Sequence, residues 1–227
     1  MTTTAILVDG AFFVKRYKKV FKDKLPLDPS VVASDLFAIC QKHLESRHEH
    51  VQRSSLYRIF YYDCFPSDKR VHHPISGQAI HFLKSDQYQF QHALFNELSK
   101  KRKVALRLGR LAQHSAGWRI RQGPTKELLK KTITVDDLAE NDVSYEIKQK
   151  GVDMRIGLDI ASLAYKKLVD QIVLIAGDAD FVPAAKLARR EGIDVVLDPM
   201  WTSVGEDLFL HIDGLRSTCP NPNQAGE

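Results

Sequence analysis

Cysteine is scarce. The 227-residue chain has three, Cys40, Cys64 and Cys219. None forms a CxxC pair, and an odd number cannot close into a full disulfide framework. Reduced thiols of a cytoplasmic protein are the expectation, with no structural zinc site. Long apolar runs are missing too: no stretch approaches the roughly 20 residues of a membrane span. The first residues, MTTT, lead into a short apolar run without the basic segment and long apolar stretch of a signal peptide. No Gly-rich Walker or dinucleotide loop is present, and there is neither an internal repeat nor a low-complexity segment. A dehalogenase-type phosphatase needs a second Asp two residues after the first, where Ala11 follows Asp9. A Toprim-type site expects Glu where Asp9 stands.

What is present suits one globular domain of ordinary size. Hydrophobic residues make up 44% and aromatics 9%, enough to build a core. The formal net charge is +5 and the pI ≈ 9.0, a mild bias toward polyanionic partners. The cations are bunched. Lys15, Arg16, Lys18 and Lys19 form one group. Lys100, Lys101, Arg102, Lys103, Arg107 and Arg110 form another, extended by Arg119, Arg121, Lys126, Lys130 and Lys131, with Glu127 the only acid between positions 100 and 131. Such runs are either a solvated face or a phosphate-binding surface with salt-sensitive affinity. The candidates for phosphate-backbone contact are Lys15, Arg16, Lys101, Arg102, Lys103, Arg107 and Lys150. Tyr88 and Trp118 could stack on bases, although packing is the better reading of Trp118. His72 and His73 lack a Cys or acidic partner at zinc spacing and read as surface residues.

The periodicity predicts strands at 5–8, 55–62, 104–111, 171–176 and 193–197. An edge strand at 117–121 is expected to pair with 104–111. Helices are predicted at 12–21, 30–44 (capped by Ser30, with Val31, Leu36, Ile39 and Cys40 inward), 78–98, 153–166, 180–191 and 204–212. Residues 124–142 are open between loop, short helix and hairpin. Uniformly apolar strands alternating with helices imply a parallel sheet covered on both faces. Ligands of such sheets bind beyond the carboxyl ends of the strands. A single domain over 1–218 is expected, with a less regular insertion at about 63–150 and a disordered tail at 219–227.

That rule draws attention to the aspartates. Asp9 directly follows the first strand. Asp178 and Asp180 follow the strand at 171–176, and Asp153 opens a helix. In a parallel sheet all four reach one edge. Each has a structural alternative: a turn at Asp9, a cap at Asp178 or, preferentially, Asp180, and a cap or helix-dipole charge at Asp153. Asp159 lies on another face of its helix and reads as structural. Asp198, before Pro199, reads as a turn residue. Clustered carboxylates repel unless protons or a cation compensate. An all-oxygen set suits a hard ion, Mg²⁺ or Mn²⁺, which can activate water against a phosphodiester.

Taken together, ILVDG (6–10), KGVD (150–153) with Asp159, IAGDADFVP (175–183) and GIDVV (192–196) resemble the NYN domain family of the PIN-like nuclease superfamily. Within it they are most similar to the LabA-like (DUF88) branch. The resemblance runs from the first strand to about Gly214, firm at both ends and weak between. It implies a three-layer α/β/α sandwich with a mainly parallel central sheet, and a metal-dependent ribonuclease acting on single-stranded RNA. It places Asp9, Asp153 and Asp178 as metal ligands and Asp180 beside them as a fourth catalytic acid. A homodimer is a further expectation from the family. Many relatives carry a polar Asn shortly after the first Asp-Gly, whereas Ala11, Phe12 and Phe13 follow here. That departure raises the alternative of an inactive RNA-binding or regulatory module.

Overall fold

The computed structural model describes residues 2–45, 53–112 and 116–223. Its chain order is β1 (Thr3–Asp9), α1 (Gly10–Val20), α2 (Pro29–His43), β2 (Ser55–Cys64), β3 (Arg70–His72), β4 (Ala79–His81), α3 (Asp86–Ser99) and β5 (Val104–Leu111). There follow β6 (Gly117–Ile120), α4 (Gln122–Leu129), β7 (Val143–Glu146), β8 (Gln149–Lys150), α5 (Val152–Tyr165), β9 (Gln171–Ile175), α6 (Val182–Arg190), β10 (Asp194–Asp198), α7 (Glu206–Phe209) and β11 (Gly214–Leu215).

Seven strands form one sheet in the order β11-β10-β9-β1-β2-β5-β8. Every pairing is parallel except β5 with β8. The middle strands are apolar on both faces, and β1 shows how the sheet divides the core. Ala5 and Leu7 point to the layer containing α5 and α6. Ile6 and Val8 point to the layer of α1, α2 and α3. This period-two alternation gives the expected α/β/α sandwich. Among the described residues no helix is long and apolar enough to cross a membrane.

Local chemistry moved several boundaries. Asp28, not Ser30, caps α2: its carboxylate accepts from the Ser30 and Val31 amides, with Pro29 in the first turn. The helix therefore turns Val31 outward, at 39% exposure, and buries Val32 and Ala33. The helix expected at 78–98 starts only at Asp86, because the Ser85 hydroxyl caps it through the Tyr88 amide. Residues upstream, Ile80 among them, pair in the β3–β4 hairpin. β6 does not join the main sheet at β5 but pairs with β7, and β8 takes the place beside β5. Residues 204–212 hold only the single-turn α7 before β11.

The segment 63–150, expected as an insertion, contributes α3 and β5 to the main layers; its excursions are the β3–β4 and β6–β7 hairpins and α4. Trp118 packs between His73 and Tyr145. His73 is not a surface residue. It is buried, with Nε2 against the Glu140 carbonyl and Nδ1 accepting from the Ile75 and Ser76 amides. The chain expected to be disordered from 219 is held at its first residue: Cys219 is buried and its carbonyl accepts from Trp201 Nε1 at 2.8 Å. Positions 224–227 of that tail lie outside the described residues.

Candidate active site

β1, β2, β5 and β9 all end at one edge of the sheet, and the acids gather there. Asp9 is the last residue of β1. Its Oδ1 accepts from the Phe12 amide at 3.1 Å, so Asp9 caps α1. Gly10 is required by what lies beneath. A Cβ there would meet Tyr61 Cζ at 2.6 Å and Asp63 Oδ2 at 2.8 Å.

Asp153 lies in the first turn of α5, just past Gly151, whose φ of 81° turns the chain from β8 into the helix. Asp178 follows β9 and supplies the cap expected of Asp180. Its Oδ1 accepts from the Asp180 amide at 3.1 Å, because Asp178 is extended (φ −96°, ψ 136°) and its carboxylate reaches the amide two residues on. Asp180 has no capping duty there.

The four sequence-derived acids are neighbours electrostatically. Burial raises the Asp9 pKa to about 6, with Asp153 and Asp63 pushing the same way against the amides of Phe12 and Ala11. Burial also raises Asp153, reinforced by Asp178 and Asp180. The structure adds a fifth acid, Asp63. β1 and β2 pair Asp9 with Tyr62, which puts Asp63 one step beyond. It is 3% exposed and its pKa is raised by burial. Its Oδ1 accepts from the Cys64 amide at 2.7 Å, from Gln91 Nε2 at 3.0 Å and from Gln149 Nε2 at 3.4 Å. So engaged, Asp63 is held in place behind Asp9 by its three donors. The end of the strand at 55–62 was a signal available in the sequence. The two glutamines that hold Asp63 come from distant elements and gave none.

The donor chemistry fits a hard divalent ion: carboxylates only, at least two of them held toward the neutral form by burial and by one another. Among the described residues, no three acids, imidazoles or thiols converge into a ready cage. Asp9, Asp153 and Asp178 are the residues that would hold an ion by drawing together on it.

Asp159 is occupied elsewhere. It takes a two-point bond from Arg107, Nε at 2.8 Å and Nη2 at 2.6 Å, and a third from the Tyr62 hydroxyl at 2.8 Å. Asp198 turns the chain through the Met200 amide, as expected, and is also wholly buried against His43 Nε2 at 2.8 Å.

The cation group read from the sequence divides. Lys101, Arg102 and Lys103 precede β5 and therefore lie at the opposite edge of the sheet from the acids. From Val104 to Arg110 the strand rises about 20 Å. Lys103 Nζ donates to the Leu56 carbonyl and Lys101 Nζ to Ser34 Oγ at 3.0 Å. Arg107 is committed to Asp159. Arg16 donates Nε and Nη2 to the Met200 carbonyl, which ties α1 to the loop after β10. Lys15 is exposed on α1. Lys150 is at the acid edge, paired in register with Arg110, a cation that the sequence alone did not single out for RNA.

Phe12 marks the departure from the family pattern. Its ring lies directly over Gly177, where a Cβ would come within 2.5 Å of Phe12 Cε2. The glycine before Asp178 is thus needed for this aromatic lid on the loop.

No curated protein matches the sequence. Among solved structures, a protein of unknown function from Vibrio parahaemolyticus is similar with a TM-score of 0.44 and 18% identity, over 94% of this chain and 91% of that one. The NYN domain profile matches residues 3–203, a span that includes β1, the Asp153 helix and the Asp178 loop, and the chain belongs to the NYN domain family, whose fold is nuclease-like.

Proposed function

We propose that the protein is a metal-dependent ribonuclease hydrolysing phosphodiester bonds of single-stranded RNA, within the LabA-like branch of its family. The observation that carries this reading is the gathering of Asp9, Asp153, Asp178 and Asp180 at the carboxyl edge of the parallel sheet, where burial, with Asp153 and Asp63 adding to it, pushes Asp9 up to about 6. A buried carboxyl among other acids is costly when ionised, and a divalent cation relieves that cost. Asp9, Asp153 and Asp178 would hold Mg²⁺ or Mn²⁺. When bound, such an ion acidifies a water and offsets charge on the phosphoryl group. Asp180, with no cap to make, would orient the attacking water or take its proton. Lys150 and Arg110 on the same edge supply positive charge for the phosphate backbone.

The second reading, an inactive RNA-binding module, draws on Phe12. Its side chain cannot orient water or metal as an amide would, and it fills the space over Gly177. Cleavage of a labelled single-stranded RNA with Mn²⁺, Mg²⁺ or EDTA, beside Asp178→Asn, separates the two. Asn keeps the turn onto the Asp180 amide, so the variant should fold. Metal-dependent cutting that the variant loses is the expected result. RNA binding in EDTA with no cutting in any metal would replace the nuclease with the module.

A further inference from the structure

A cleft opens beside the acid edge, on the side of β2 and β5. Its inner part is ≈ 210 Å³ and is lined by Phe65, Tyr88, Tyr145, Gln91 and Gln149 among others. It continues into a wider groove that shares Phe65 and Tyr88 and adds Arg110 and Lys150. The inner volume is below the roughly 300–1,000 Å³ of pockets for drug-sized ligands. It suits one flat ring system, with the rest of a larger ligand left in the groove.

Its walls are aromatic and its rim is cationic. Phe65 is 54% exposed although it packs edge-on against Phe95, so the ring is anchored and still available. Tyr88 stacks on His92 one turn along α3, and Tyr145 rests against Phe82 and Trp118. Neither Arg110 nor Lys150 forms a salt bridge among the described residues.

Asp63 links the cleft to the acids. Gln91 Nε2 gives one hydrogen bond to Asp63 Oδ1 and another to the Cys64 carbonyl, both at 3.0 Å. Both amide hydrogens are then used. The carboxylate also fixes the flip of the amide, since only the nitrogen can face it. What Gln91 can offer a ligand in the cleft is its carbonyl oxygen, an acceptor.

We infer that this cleft is a nucleobase subsite of the RNA-binding surface: one base stacks on Phe65 and Tyr88, its exocyclic amine donates to the Gln91 carbonyl oxygen, and the adjoining phosphates lie along Arg110 and Lys150. The inference rests on the proposed function for its ligand class, RNA, and not for hydrolysis. Aromatic walls recognise any base. The acceptor favours cytosine, whose C4 amine donates to it, over uracil, which carries a keto oxygen at C4 and has its donor, N3–H, at the neighbouring ring position.

The test is fluorescence anisotropy in EDTA with the full chain and labelled oligo(C), oligo(U) and an abasic ribose-phosphate strand of equal length. The wild type should bind oligo(C) about fivefold more tightly than oligo(U), the worth of one hydrogen bond, and the abasic strand least. Phe65→Ala and Tyr88→Ala should each weaken oligo(C) binding about 5- to 100-fold and leave the abasic strand unchanged. Phe65→Tyr, which keeps the ring, should bind as the wild type does, and the unchanged affinity of the alanine variants for the abasic strand shows that they are folded. Equal affinity for all three strands, or wild-type affinity in both alanine variants, overturns the subsite. If the wild type also cuts RNA with metal, that result leaves the nuclease standing. If the protein never cuts but loses base-dependent binding on Phe65→Ala, the subsite stands and the nuclease falls.

Discussion

Replacing Asp9 by Asn should make the metal-free protein more stable at neutral pH. Burial pushes the folded carboxyl up to about 6 from its ordinary 3.8. A raised acid pKa means that the folded state holds its proton more tightly than the unfolded chain does. The site is therefore neutral and harmless below pH 3.8, and its cost grows as pH rises from there to about 6, above which it is fully present. The shift corresponds to at most about 3 kcal/mol. It already includes the benefit of the Phe12 amide, which lowers the pKa, and Asn can make the same cap. The gap in stability between Asp9→Asn and the wild type should thus widen by up to about 3 kcal/mol between pH 4 and pH 7. That is a melting difference of roughly 6–12 °C for a chain of this size. The assay is thermal or urea unfolding in EDTA across that range. Adding Mn²⁺ at pH 7 should then raise the wild-type melting temperature and leave the variant's nearly unchanged. A gap that stays flat with pH would show that Asp9 is not held in a costly ionised state and would remove the main support for a cation site.

Two further perturbations address the frame of the site and the path of its ligand. Gly10→Ala places a Cβ 2.6 Å from Tyr61 Cζ and should cost about 1–3 kcal/mol as an overpacked contact, read as a fall in the urea midpoint, despite the better helix propensity of Ala. For the cations, Arg110→Ala/Lys150→Ala should weaken binding of single-stranded RNA and reduce its log–log salt dependence by about 1.4, whereas Lys101→Ala/Arg102→Ala/Lys103→Ala, at the far edge, should alter neither.

The sheet was legible because its strands are short apolar runs whose ends carry acids, and because parallel strands bring those ends together. Asp9, Asp153, Asp178 and Asp180 follow from that geometry without any knowledge of side-chain contacts. The sheet separates the cations of the sequence by the same rule that gathers the acids. Position along a strand decides the edge, and Lys101, Arg102 and Lys103 precede β5 whereas Arg110 lies near its end. Charge density in the sequence is blind to that distinction. Arg107 and Asp159 were beyond reading as a pair, since 52 positions separate them. The hairpin at Ile80 was hidden because its few apolar residues continue the spacing of α3, and only the Ser85 cap stops the helix. The buried His43–Asp198 pair could not be read from the turn motif that correctly placed Asp198.

Phe12 separates catalysis from fold more sharply than any other residue. The features needed to build the acid cluster are intact: Asp9 caps α1, Gly10 admits Tyr61 and Asp63, and Asp178 turns its loop. None of them uses the side chain at position 12, whose backbone amide alone serves the cap. The ring instead closes over Gly177, one residue before Asp178. The same ring withholds a polar group from the attacking water. A chain that binds Mn²⁺ through Asp9 yet cleaves slowly would be a physical consequence of Phe12, and would not count against the acids as ligands.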